Sequence, residues 1–293
     1  MVKVGLIQMT AAQSVEQNMD KAISLIDAAA AKSAQIVCLQ ELFQSTYFCQ
    51  TEDYKNFSLA EEISATTPIV NMLSGKAKEH EIVLIVPFFE KRAEGVYHNS
   101  VIVIDADGKY LGTYRKMHIP DDPHYYEKFY FTEGDLGYQV FKTRYASLCV
   151  MICWDQWYPE AARIAALKGA QIIFYPTAIG WLPEDKAVVG QAQHDAWETV
   201  QRAHAIANGC FIAAVNRVGF EASPDGQGGI EFWGQSFIVG PDGSIIAKAS
   251  CTHEEIVLAE IDLAMIETTR VAWPFLRDRR IESYQGITER YLN

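Results

Sequence analysis

The sequence predicts an α/β fold in which two sheets are covered by helices. Strand-like and helix-like segments alternate in both halves of the chain. In addition, SVIVIDADGKYLGTYRK (100–116) and SFIVGPDGSIIAKAS (236–250) share one pattern: an apolar run, a turn ending Asp-Gly, and a second apolar run. That echo is expected of two similar halves that each contribute a sheet; chance is the competing reading, because Asp-Gly hairpins are common. Finally, no low-complexity linker divides the 293 residues. A single domain over 1–293 is therefore expected, with residues from about 263 onward as a C-terminal extension.

The elements follow in order. VKVGLIQM reads as a strand. Ser14 with Gln17 has the capping-box pattern, and Val15, Met19, Ile23, Ile26 and Ala30 then recur at helical spacing. QIVCLQ is a short buried strand that ends at Glu41. Thr67 and Pro68 supply a cap and a proline at the first helical position, opening a helix toward His80. IVLIVPFF is a strand, and 100–116 forms a hairpin turning at Asp107-Gly108. Beyond an aromatic, polar stretch at 117–134, YQVFKT and ASLCVMI are strands, a helix runs from about Pro159 to Lys168, and QIIFYP is a strand again. Ala192, Ala196, Trp197, Val200, Ala203 and Ala207 mark an amphipathic helix stopped by Gly209. FIAAVN, QSFIVGPDGSIIAKAS and EIVLAEID complete the strands.

Composition narrows the function. A chain 49% hydrophobic can bury a large core, and a formal net charge of −12 argues against a nucleic-acid surface or an anionic membrane partner. No run of about eighteen apolar residues suggests a membrane span. The N-terminus lacks the long apolar stretch and small-residue cleavage site of a signal peptide, so a cytoplasmic location is expected. Six cysteines, at 38, 49, 149, 153, 210 and 251, have no disulfide-scaffold rhythm and read as thiols, most of them small buried hydrophobes. The histidines lack His-x-x-x-His spacing, and no Cys-x-x-Cys is present, so no metal site is expected. His204 reads as a core histidine, and Arg277, Arg279 and Arg280 as a solvated or subunit-contact cluster.

Three reactive side chains each fall just after a strand: Glu41, Lys116 and Cys153. Strand ends held by a rigid sheet are common positions for catalytic groups, although each residue alone is more often a solvated end. Cys149 lies about 13 Å from Cys153 if the chain between them is extended, too far for a disulfide, and reads as core. Asp155 reads as a turn-former bonding local backbone N–H groups.

The surrounding residues carry a resemblance. CLQELF, YRKMHIPDD and MICWDQWYPE, in that order, are similar to motifs of the nitrilase superfamily of carbon–nitrogen hydrolases. The resemblance extends from the first strand to about Asp262. It implies a four-layer α-β-β-α sandwich and a Glu-Lys-Cys triad at Glu41, Lys116 and Cys153, with Glu127 of DDPHYYEKFYF as a second active-site glutamate. In the implied chemistry Cys153 is the nucleophile and Glu41 relays its proton. Lys116 and the Trp154 N–H hold the oxyanion, Glu127 positions the lysine or the substrate nitrogen, and no cofactor is needed. The resemblance also implies a homo-oligomer.

Within the superfamily, QSTYFCQ, RKMHIPDDPHYYEKFYFTEGD, FYPTAIG, AAVNRVG and RDRRIESY most closely resemble the N-carbamoylputrescine amidohydrolases. This implies cleavage of a ureido group to putrescine, carbon dioxide and ammonia in polyamine synthesis from agmatine. Relatives acting on N-carbamoyl amino acids carry paired arginines after the nucleophile motif; here Gln156 and Trp157 stand there, and the best carboxylate clamp is missing. A small substrate with a cationic amine tail wants an apolar slot ending in acids or aromatic faces, for which Tyr47, Trp157, Trp181, Glu184 and Asp185 are candidates, Glu184 and Asp185 reading equally well as loop charges. The match departs at WLPED, where the resemblance implies an acid closer to TAIG. The rival readings are an amidohydrolase for another ureido or amide substrate (an N-carbamoyl amino acid, β-ureidopropionate or an ω-amide) and an oligomeric scaffold without chemistry. An intact Glu-Lys-Cys set argues against the scaffold.

Overall fold

The computed structural model describes residues 1–292. The first half runs β1 (Val2–Gln8), α1 (Val15–Ala31), β2 (Ile36–Leu39), α2 (Pro68–His80), β3 (Val83–Ala93), β4 (Val96–Ile104) and β5 (Tyr110–Arg115). A short α3 (Glu127–Tyr130) lies in the connection to the second half. There follow β6 (Val140–Lys142), β7 (Ser147–Val150), α4 (Pro159–Leu167), β8 (Ile172–Pro176), β9 (Gly180–Trp181), α5 (Pro183–Asn208) and β10 (Phe211–Val215). The chain continues through β11 (Val218–Ala222), β12 (Gly229–Trp233), β13 (Phe237–Val239), β14 (Ile245–Lys248), β15 (Glu255–Ile261) and α6 (Ala264–Ala272).

Two six-stranded sheets form, in the orders β15-β1-β2-β3-β4-β5 and β6-β7-β8-β10-β13-β14. Each has the same plan. Three central strands are parallel (β1, β2, β3 and β7, β8, β10), one antiparallel strand flanks them, and an antiparallel hairpin closes the other edge. The two Asp-Gly repeats are those hairpins, β4–β5 and β13–β14. Their glycines, Gly108 and Gly243, have φ of 85° and 82°, where a side chain would be strained. The sequence echo thus marks corresponding pieces of two similar sheets.

Alternation along the strands sets the layers. Val4, Leu6, Ile36, Cys38, Val83 and Ile85 pack with Leu148, Val150 and Ile172 of the second sheet. Their neighbours Ile7, Val37, Leu39 and Leu84 pack instead on Ala22, Ile26, Val70 and Leu73 of α1 and α2. On the second sheet, Ala161 and Ala165 of α4 and Trp197 and Ala205 of α5 join the core. Helices therefore cover two mixed sheets packed face to face, as expected.

Several local expectations need adjustment. The Ser14 side chain caps α1 by accepting from the Gln17 N–H at 3.3 Å. Helix α5 starts at Pro183, nine residues before the first residue of the expected periodic stripe, so Pro183, Glu184 and Asp185 of WLPED open a helix just after Trp181 ends β9. Pro183 at its first position, and Gly209 with φ of 54° at its end, are the signals that bound it. A small third sheet, β11-β12-β9, was not expected. Its hairpin could have been read from the apolar runs flanking SPDGQGG. Among the described residues no helix is long and apolar enough to cross a membrane.

Candidate active site

Glu41, Lys116, Glu127 and Cys153 come together at one end of the sandwich, each delivered by a different segment. Glu41 lies two residues past β2, Lys116 directly past β5, Glu127 at the first position of α3 and Cys153 three residues past β7. Glu41, Lys116 and Glu127 are completely buried, and Cys153 is 5% exposed. Lys116 sits between the two carboxylates, its Nζ donating to Glu41 Oε1 at 2.8 Å and to Glu127 Oε2 at 2.6 Å. Asn99 Nδ2 also donates to Glu41 Oε1 at 2.7 Å, and Tyr47 Oη donates to Glu127 Oε1 at 2.7 Å. Glu41 Oε2 is buried and has no hydrogen-bond partner.

The backbone around each group explains its placement. Lys116 continues the β5 ladder for one more residue, its N–H bonding Asn99 O at 2.8 Å. Gly134 packs against the same point, where a Cβ would lie 2.1 Å from Arg115 O, so only glycine fits. Cys153 is not in an extended strand. It adopts φ of 43°, a conformation uncommon for a residue with a side chain, and opens a 3-10 turn running to Trp157. Cys149, by contrast, lies in β7 and is fully buried, as expected of core. Asp155 does bond a local backbone group, Ile152 N–H at 2.9 Å, but it also accepts from Tyr114 Oη at 2.6 Å and from His118 N–H at 3.0 Å. It therefore ties the elbow bearing Cys153 to the segment bearing Lys116.

The electrostatics follow from burial and pairing. Burial disfavours the Lys116 ammonium, but Glu127 and Glu41 outweigh it and hold the lysine well above its usual value. Burial, with help from Glu41 and Glu127, lifts the Cys153 thiol well above its usual value against the opposing pull of Lys116. Burial also pushes Glu127 up to about 7, opposed by Lys116. The resting thiol is thus protonated and needs a base. A buried carboxylate, an ammonium and a thiol held together can supply a proton acceptor, a cation for developing negative charge and a nucleophile.

Above Cys153 lies a cavity of about 450 Å³. Trp154, Trp157 and Asp185, all expected from the sequence, line it. Asp122, Tyr125 and Trp233 line it too and were not singled out. Three other candidates lie elsewhere. Tyr47 is 1% exposed and sits behind the cavity on Glu127. Trp181 packs on Trp233, with its indole N–H donating to Gly190 O at 2.8 Å. Glu184 is exposed on the first turn of α5, outside the lining. Gln156 is also away from the cavity, fully buried with its Oε1 accepting from Trp197 and Thr177. His204 is a core histidine whose Nε2 meets Gln156 O at 2.8 Å. A second cavity, about 560 Å³ between α4, α5 and the C-terminal segment, does not adjoin Cys153.

Comparison with known proteins places this arrangement in a family. Residues 3–271 match the carbon-nitrogen hydrolase model. An N-carbamoylputrescine amidase of Solanum tuberosum is 45% identical over 98% of this chain and 95% of its own length. A citrullinase of Francisella tularensis is 41% identical over 99% of each chain. The crystal structure of a carbon-nitrogen hydrolase from Helicobacter pylori superposes with a TM-score of 0.95 at 49% identity, covering 99% of both chains. With its two sheets, its covering helices and a match over nearly its whole length, the chain belongs to the carbon–nitrogen hydrolase family, the nitrilase superfamily.

Proposed function

We propose that the chain hydrolyses N-carbamoylputrescine to putrescine, carbon dioxide and ammonia, by covalent catalysis at Cys153, as a step in polyamine synthesis. The observation that carries the substrate is the cavity. Its charged lining residues are two carboxylates, Asp122 and Asp185, with no basic side chain among the described lining residues. Trp154, Trp157 and Trp233 supply aromatic faces in the same lining. Such a slot suits a ureido head at the sulfur and an ammonium at the mouth. The amidase relative from Solanum tuberosum supports the same substrate.

Glu41 Oε2, the unpartnered oxygen, accepts the Cys153 proton as the sulfur attacks the ureido carbon. Lys116 has three N–H donors; Glu41 and Glu127 take two, and the third, with the Trp154 N–H, meets the oxyanion. Collapse breaks a C–N bond, and the leaving nitrogen takes the proton from Glu41. Water, deprotonated by Glu41, then attacks the thiocarbamate intermediate; the Cys153 sulfur leaves and takes the proton back from Glu41, and the released carbamic acid breaks its remaining C–N bond to give carbon dioxide and the second nitrogen product. Glu127, held by Tyr47, keeps the ammonium in place.

The Francisella relative favours a second reading, citrulline, which has the same ureido head but a carboxylate beside its ammonium. An acid-only lining offers that carboxylate no partner. Asp122→Asn and Asp185→Asn are expected to raise KM for N-carbamoylputrescine about 2–5-fold each, the scale of an exposed ion pair. KM for n-butylurea, which lacks the ammonium, should move far less. Equal effects on both substrates would remove the cationic-tail assignment.

The C-terminal segment exposes Trp273, Phe275, Ile281 and Ile287, which supports pairing of chains through that surface. Light scattering should then give a molar mass of at least a dimer.

A further inference from the structure

The stretch AAVNRVG (213–219) supplies no reacting group to the proposed mechanism. Its Asn216-Arg217 pair joins β10 to β11, and both residues are buried, at 0% exposure. We infer that this dipeptide is the positioning unit of the site: Arg217 sets the base Glu41, and Asn216 sets the cavity wall beside Cys153. The inference rests on the catalytic roles proposed above.

The Arg217 guanidinium ties segment 41–45 to Glu221 of β11. Its Nη2 donates to Glu41 O at 3.1 Å and Leu42 O at 2.7 Å, and its Nη1 to Ser45 O at 2.9 Å and to Glu221 Oε1 at 2.7 Å. The other oxygen of Glu221 accepts the Tyr47 N–H at 2.6 Å. Segment 41–47 needs such a clamp. It leaves β2 through Leu42 at φ of 48°, and Glu41, Leu42 and Ser45 lie outside the strands and helices, so their carbonyls have no place in a ladder. The same clamp therefore holds the backbone of Glu41 and the backbone of Tyr47, whose hydroxyl braces Glu127. A lysine cannot replace it, because a single ammonium lacks the planar fork that reaches three carbonyls and a carboxylate.

Asn216 closes the other side. Its Oδ1 accepts the Ile179 N–H at 3.0 Å, and its Nδ2 donates to Ile179 O at 3.0 Å and Gly234 O at 3.0 Å. Ile179 and Ala178 line the cavity, and Ala178 O is 4.0 Å from Cys153 Sγ. Adjacent residues thus fix the base and the wall against which substrate lies.

The test separates positioning from folding. Arg217→Lys is expected to lower kcat about 10²-fold with KM within about twofold, the scale of a misplaced catalytic group. Asn216→Ala is expected to act chiefly on KM. The rate of Cys153 alkylation by iodoacetamide, which needs the base but no substrate, should fall in Arg217→Lys and not in Asn216→Ala. It is measured in a Cys251→Ala background because Cys251 is exposed. Added guanidinium should recover part of the rate in Arg217→Ala. If Arg217→Lys does not fold, the isosteric Glu221→Gln weakens the same clamp and should lower kcat with KM held. A folded Arg217 or Glu221 variant with wild-type alkylation and kcat overturns the inference. Failure of N-carbamoylputrescine to turn over in the wild type would instead defeat the substrate reading, leaving the alkylation arm to decide this one.

Discussion

Replacing Cys153 by alanine is expected to lower kcat by at least about 10⁴-fold, the scale seen when a covalent nucleophile is removed. Among the described residues Cys153 is the one thiol in the lining of the cavity that carries Asp122 and Asp185, and the Glu41 carboxylate, one of whose oxygens has no partner, acts on it electrostatically. The other cysteines lack this combination. Cys149 is in the sheet core with its thiol pushed up by burial, and Cys251 is exposed at the surface. Little stability should be lost, since the sulfur contacts only Ala178 O among polar groups, at 4.0 Å. Thermal unfolding near that of the wild type, with no ammonia released, is the expected pair of results. Residual turnover within tenfold of wild type would refute covalent catalysis at this residue.

Lys116→Met has the next largest expected effect, on stability as well as rate. In the wild type one ammonium compensates two fully buried carboxylates. Removing it leaves uncompensated charge in the interior, worth about 3–5 kcal/mol of destabilisation. It also deletes the proposed oxyanion donor, worth about 10²–10³ in kcat. The double variant Lys116→Met with Glu127→Gln separates the two. Neutralising Glu127 should recover part of the unfolding free energy, because the amide no longer carries a buried charge, yet turnover should remain lost. Recovery of turnover with stability would show the lysine to be structural. Unchanged stability in the single variant would show that the carboxylates are already neutral without it.

The sheets and the reactive strand ends were legible because they are local. Alternating apolar residues and the repeated Asp-Gly turns mark β4–β5 and β13–β14, and motifs at fixed positions after strands mark Glu41, Lys116 and Cys153. What was missed depends on tertiary contact. Asn99 meets Glu41 across 58 residues of chain, and Arg217 meets the Glu41 carbonyl across 176. No local period encodes such pairs. Tyr47 was expected on the substrate and lies behind Glu127 instead, since only the packing of α3 shows which side of the site it faces. The start of α5 was placed late because its first turns are polar and exposed, so the apolar stripe begins well after the helix does. Asp122 lies within RKMHIPDDPHYYEKFYFTEGD, but its place in the cavity lining comes from the fold of 117–134.

Ammonia release from N-carbamoylputrescine, citrulline and N-carbamoyl-β-alanine, measured side by side with the wild-type enzyme, tests the central claim most directly. The expected result is a kcat/KM for N-carbamoylputrescine well above the other two, because only its tail carries an ammonium without a carboxylate into the acid-lined cavity. A higher kcat/KM for either carboxylate-bearing substrate would contradict it.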